Sequence, residues 1–197
     1  PDGTPTVIKQ HELDEAVEIV GVHQALDGNM KAQLVALTSK IESWENAISE
    51  GALARHLAWQ GLRMNIWGSL RYSLPACRFS RDDCESLVKG LYRTLLPSLG
   101  ANRNFPKVYR FAPRCFFGLD MPHPYIFQGV GKARFLMMHG HTDSISGRLL
   151  RTVLNQAQLK VCSAQPLFTL PFDRWGFLAT TSFAKSLWEF ASTSGIG

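Results

Sequence analysis

The chain has 197 residues, 45% of them hydrophobic and 19% charged, with a formal net charge of +5 and a mean hydropathy of −0.06. That supplies apolar material for one sizeable core or two small ones, and no stretch approaches the roughly 18 uninterrupted apolar residues of a spanning helix. The start lacks the basic, apolar and cleavage-site succession of a secretory leader, and its first residue, Pro1 in place of Met, points to an excised fragment or processed piece.

Residues 1 to 12 are polar, contain Pro and show no periodicity, so they are expected to fray. Val17 to Val22 is rich in β-branched residues and runs into Asp27-Gly28-Asn29, which reads as a strand followed by a turn or helix start. Met30, Leu34, Leu37, Ile41, Trp44 and Ile48 recur at helical spacing and stop before Gly51. Leu53, Leu57, Trp59, Leu62, Ile66 and Leu70 repeat the pattern up to Leu74-Pro75, so the two helices should pack antiparallel across a short Gly-centred connection. Ser80 with Asp83 forms a capping-box pattern, and Asp82, Asp83 and Glu85 suit the positive end of a helix dipole. The helix that follows should bury Cys84, Leu87, Val88, Leu91 and Leu95 and end near Pro97 and Gly100. From Ala101 to Pro122 four interruptions, Pro106, Pro113, Gly118 and Pro122, predict a loop. Helical periodicity returns at about Tyr125 to His139, Ser146 to Val161 and Ser182 to Ala191. The fold class is therefore mainly α, a helical domain with a small β element near its N-terminus.

Charge is unevenly divided. Residues 1 to 52 hold nine acids and three lysines, a balance of −6, and residues 53 to 197 hold 18 bases and seven acids, a balance of +11. Between Ser86 and Leu119 there is no acid, while Lys89, Arg93, Arg103, Lys107, Arg110 and Arg114 supply six positive charges. Lys89 and Arg93 are four apart and share a helix face; the other four lie in the Pro-punctuated loop beside Phe105, Tyr109 and Phe111, with Asn102 and Asn104 as neutral donors. Arg and Lys neutralise phosphates and aromatic rings stack on bases, so this tract is a candidate nucleic-acid surface. The same residues also fit a solvated basic surface whose aromatics turn inward to the core.

A set of short motifs carries a resemblance. In order they are Val20-Gly21-Val22 with Asp27-Gly28, Tyr72-Ser73-Leu74-Pro75-Ala76, Cys84-Glu85, and Leu95-Leu96-Pro97-Ser98-Leu99-Gly100. Arg103-Asn104-Phe105-Pro106, Gly118-Leu119, Pro122, Tyr125, Gln128-Gly129, Gly147, Leu149-Leu150-Arg151 and the stretch Ser182 to Phe190 continue the series. The series resembles the thumb and post-thumb region of retroelement (retrotransposon) reverse transcriptases and covers most of the chain after residue 17. Cys115-Phe116-Phe117 before Gly118 departs from that pattern and leaves a decayed or repurposed copy open. The resemblance implies four parts: 1–28, a flexible start and the end of a palm-like β element; 29–100, a helical thumb-like bundle; 101–122, a basic loop; and 123–197, a C-terminal helical region.

It further implies a part that grips template and primer, with RNA or an RNA/DNA duplex and the parent's palm and fingers domains as partners, and no membrane. Lys89, Arg93, Arg103, Asn104, Lys107, Tyr109, Arg110 and Arg114 are the candidate nucleic-acid-binding residues. The metal-holding carboxylates of a polymerase would lie before Pro1, so this RNA-directed DNA polymerase fragment should be inactive alone, with no catalytic residue and no cofactor. The competing class is a helical protein-interaction or assembly module, with a basic face for an acidic partner or an acidic N-terminal segment docked in cis.

Three other patterns mislead. Asp82-Asp83 is the one pair of adjacent aspartates, but Ser80 stands where a polymerase turn has an aromatic. His139-Gly140-His141-Thr142-Asp143 opens as binuclear metallo-hydrolase motifs do, yet Ser144 replaces the required His and no His follows, so no metal ligand is assigned. Gly129-Val130-Gly131-Lys132 lacks both the earlier Gly and the following Ser/Thr of a phosphate loop, and reads as a helix with small residues at a packing contact. Cys77, Cys84, Cys115 and Cys162 form no C-x-x-C pair and are read as reduced thiols of an intracellular protein, cytoplasmic or nuclear, with Cys84 and Cys162 on buried phases.

Overall fold

Strands β1 (Val17–Ile19) and β2 (Val22–Gln24) pair antiparallel, with Val17 opposite Gln24 and Ile19 opposite Val22. The computed structural model describes residues 12–51 and 53–195, so the polar start expected to fray lies outside the described residues except for Glu12. The stretch Val17 to Val22 is thus two strands, not one. The chain reverses at Val20 and Gly21, both at positive φ (50° and 77°), the two-residue turn whose twist matches that of a hairpin. A β-branched residue is a poor choice for that conformation, which is why the sequence conceals the turn. The hairpin is tied to the next helix by the buried Gln33, whose Oε1 accepts from the His23 backbone N–H at 2.7 Å.

Helix α1 (Lys31–Glu50) buries Leu37, Ile41 and Ile48. The following rod is α2 (Arg55–Gln60), a π-helical stretch over Gly61–Ile66, α3 (Trp67–Ser73) and a 3-10 turn over Leu74–Ala76. Its buried residues Ala58, Leu62, Ile66, Leu70 and Leu74 recur every fourth position. At 3.6 residues per turn each step of four overshoots by about 40°, so a plain α-helix would swing this stripe away from its partner. The π turns hold more residues per turn and bring the stripe back.

Helix α4 (Arg81–Ser98) opens with the expected capping box, the Ser80 side chain accepting from Asp83 N–H and the Asp83 carboxylate accepting from Ser80 N–H, both at 3.1 Å. It buries Cys84, Leu87, Val88, Leu91, Tyr92, Leu95 and Leu96. Arg78, just before α4, bonds the Gly28 carbonyl before α1, while Glu45 late in α1 meets Thr94 late in α4. These two helices therefore run parallel and α1 packs chiefly on α4. The rod 55–76 returns in the opposite direction, its Arg55 lying against Gly100 at the far end of α4.

Beyond the loop carrying α5 (Lys107–Phe111) and a 3-10 turn (Arg114–Phe116) come α6 (Pro124–His139), α7 (Ile145–Val161), the short α8 (Phe172–Trp175) and α9 (Phe183–Thr193). One core joins α1 to α4 with Tyr125, Leu187 and Phe190; a smaller one gathers Ala157, Val161, Leu167, Leu170, Ala179, Ala184 and Trp188. The protein is mainly helical with one small antiparallel sheet near its N-terminus, and no helix of the described residues is long and apolar enough to cross a membrane.

The glycines of α6 are packing contacts. A Cβ on Gly131 would lie 2.7 Å from the Pro75 ring, and one on Gly129 would lie 2.2 Å from the ring of the buried Phe190. Gly129→Ala is therefore expected to destabilise by about 1–3 kcal/mol through overpacking, despite Ala's better helix propensity. Gly68→Ala, where a Cβ meets nothing within 4 Å, should be neutral or stabilising by up to about 1 kcal/mol. Equilibrium urea denaturation of the two variants checks the contrast.

Candidate functional site

The face of α4 opposite its apolar stripe carries Asp82, Glu85, Ser86, Lys89 and Arg93, and the basic loop folds back against it. Loop and helix are joined at Tyr92, whose buried hydroxyl donates to the Pro122 carbonyl and whose ring lies 5.9 Å from Phe111. His123 also packs edge-on against Phe111, at 4.7 Å. Burial pushes its imidazole below the usual range, Glu85 opposing and Arg81 and Lys107 adding to the effect.

These contacts leave a cleft of about 280 Å³ between α4, α5 and His123. Lys89, Lys107 and Arg110 line it, facing Asp82 and Glu85. Lys107 donates to Glu85, and that hydrogen bond holds the Glu85 carboxyl below the usual carboxylate range. Arg110 spends one Nη on the Phe105 carbonyl at 3.0 Å, and its buried Nε has no partner among the described residues, nor does His123 Nδ1.

A second cleft, about 510 Å³, lies at the other end of α4 and is lined by Arg93, Arg103 and Thr94 together with Glu45 and Ser49 of α1. Arg114 goes elsewhere: its guanidinium sits 5.6 Å from the centre of the Trp59 ring, where Arg63 also stacks at 5.7 Å. Asn104 and Tyr109 are exposed, and the Asn104 backbone N–H is held by Asn102 Oδ1 at 2.8 Å.

The six basic candidates thus divide into three places, and Asn104 and Tyr109 line neither cleft. Among the described residues Lys89, Arg93 and Arg103 make no ion pair and are exposed, whereas Lys107 and Arg110 are engaged within the chain. The aromatics divide as well. Phe105 and Phe111 pack against the main core and Tyr109 faces out. Phe116 and Phe117, not among the candidates, are 69% and 91% exposed. Trp59 and Arg63 were also outside the set, although their four-residue spacing places them on one helix face.

The remaining motifs have structural partners. Asp143 lies 3.7 Å from both Arg148 and Arg151, and His139 packs on Phe135 at 4.7 Å. Among the described residues no three His, Cys, Asp or Glu side chains converge as a metal site requires. All four cysteines are free, Cys77 and Cys84 buried and Cys115 exposed. Cys162, expected on a buried phase, is exposed because it is the left-handed residue (φ 53°) that ends α7. No family model, no curated protein and no solved structure matches the chain.

Proposed function

We propose that this chain is a nucleic-acid-gripping helical domain, the non-catalytic, template- and primer-holding part of a retroelement reverse transcriptase that works inside the cell. The observation that carries the reading is the set of unpaired, exposed cations Lys89, Arg93 and Arg103 on one face of α4 and the loop after it, within a stretch free of acids from residue 87 to 118. Exposed, uncommitted bases on a rigid helix are suited to phosphates, whose recognition needs charge more than sequence-specific geometry. Asn104 adds a neutral donor beside Arg103, and Arg114 adds charge near Trp59. The order of motifs from Val20 to Phe190 gives the reading its family.

Filter binding of an RNA/DNA hybrid tests it. Three phosphate contacts at about 0.7–0.9 each give a log–log salt slope between about −2 and −3, and Arg93→Ala or Arg103→Ala should each flatten it by just under about one unit. Affinity that is unchanged with salt, or undetectable at low salt, overturns the reading.

The competing reading, an assembly module, has one observation of its own: Glu45 of the acidic half accepts from Thr94 at 3.1 Å and lines the Arg93–Arg103 cleft. It predicts a defined complex by light scattering that nucleic acid does not displace.

A further inference from the structure

Residues 112–120 form a closed loop pinned along its whole length. Asp120 N–H donates to the Ala112 carbonyl at 2.9 Å, Gly118 and Phe116 N–H to Pro113 at 3.1 and 2.9 Å, and Phe117 N–H to Arg114 at 3.0 Å. Only a glycine fits at 118, where a Cβ would lie 1.9 Å from the Ala112 oxygen. This framework holds Phe117 in the left-handed region (φ 59°), a conformation bulky residues rarely adopt, with its ring 91% exposed beside Phe116 at 69%. An apolar ring in water and a disfavoured backbone are two unfavourable features at one residue; the loop's hydrogen bonds hold the backbone, but among the described residues the ring has no aromatic partner and stays exposed. Strain fixed by a surrounding framework clusters at sites that bind, and here it coincides with an uncovered aromatic ring.

The surroundings define what such a site would bind. Arg114, in the same loop, stacks with Arg63 on Trp59, while Asp120, the loop's one acid, is bound by Arg63 at 3.2 Å. The tip is therefore aromatic and its base cationic, which is complementary to a planar ring carried on an anionic backbone.

We propose that Phe117, supported by Phe116, is a preformed stacking platform for an unpaired nucleobase at the end of the gripped duplex. This rests on the nucleic-acid reading above and adds to it a place where a single-stranded extension is received. Pinning the loop in advance means that little conformational freedom is lost on binding.

The test uses the full chain and an RNA/DNA hybrid bearing a short single-stranded extension with 2-aminopurine at its first unpaired position. Phe117→Ala should weaken binding about five- to a hundredfold and abolish the quenching of 2-aminopurine that the parent produces. With abasic sites in the extension, parent and variant should bind alike. The exposed position lets the variant keep its thermal midpoint, and Phe116→Ala provides a second, smaller loss. Equal losses on the two extensions, or no loss on either, overturn the platform while leaving salt-dependent gripping intact. Absence of all hybrid binding by the parent overturns the gripping reading first. Phe117-dependent binding to phosphatidylserine vesicles without 2-aminopurine quenching overturns the platform in favour of an anionic lipid surface.

Discussion

Trp188→Ala should lower the unfolding free energy by about 3–5 kcal/mol, a large share of the 5–15 kcal/mol that holds most domains folded. Trp188 is completely buried at the centre of the smaller core. Its ring meets Phe172 edge-on at 5.1 Å, and its indole N–H donates to the Leu170 carbonyl at 2.8 Å. Truncation opens a large cavity and leaves that carbonyl without its donor, two losses that add. Because α9 turns Trp188 and Ala184 to the smaller core and Leu187 and Phe190 to the main one, the damage should reach both. Trp188→Phe separates the effects: it keeps most of the volume, loses the N–H, and should cost about 1–3 kcal/mol. Equilibrium urea denaturation measures both, and a loss below about 1 kcal/mol for the Ala variant would mean that this core is not packed as described.

The elements legible in the sequence are those with an unbroken amphipathic stripe. α1, α4, α6, α7 and α9 fall where their 3.6-residue periodicity places them, because one face of each meets a core and nothing else competes. The capping box at Ser80 was legible for a local reason, since its partners are three residues apart. The π-helical stretch left a trace, the strict fourth-residue spacing from Ala58 to Leu74, but a stripe read for helix alone does not reveal a change of pitch. α8 and the 3-10 turns around it lack enough length to show any period.

For the site, the shared face of Lys89 and Arg93 follows from spacing within one helix. The separation of Arg110 from Arg114 does not, because it is set by which way a loop folds against distant residues. Phe116-Phe117 stood out only as a departure from a family pattern; their exposure depends on the turn at Gly118, a property of the closed loop.

The burial of Lys132 is the feature that sequence concealed most completely, and it supports the second large prediction. Gln128 and Lys132 are four apart on the inner face of α6, each 1% exposed. Gln128 braces Phe79, accepting from its N–H at 3.1 Å and donating to its carbonyl at 3.0 Å. Lys132 Nζ donates to Ser186 Oγ at 2.7 Å, its one hydrogen bond among the described residues. Burial lowers its ammonium from 10.5 to about 8, Cys77 opposing and Arg78 adding to the effect, while burial raises the Cys77 and Cys84 thiols from 9.0 to about 12.

Below pH 8 the amine is charged in both folded and unfolded chains, so the folded state carries the full penalty of a buried ammonium, about 3 kcal/mol. Between pH 8 and 10.5 the unfolded chain holds the proton and the folded chain does not, so the penalty fades as pH rises. The thiols act oppositely: above pH 9 the unfolded chain ionises them first and stability falls. Stability should therefore climb from pH 8 to a maximum near 9 and then decline. Lys132→Met, similar in length and apolar, removes the penalty together with the Ser186 bond, worth about 1 kcal/mol. It should be more stable than the parent by about 2 kcal/mol at pH 7, and this advantage should vanish between pH 8 and 10.5 while the decline due to the thiols persists in both proteins. Urea denaturation of the pair at several pH values reads this out; a variant less stable than the parent at pH 7 would mean that the Ser186 bond outweighs the burial of charge.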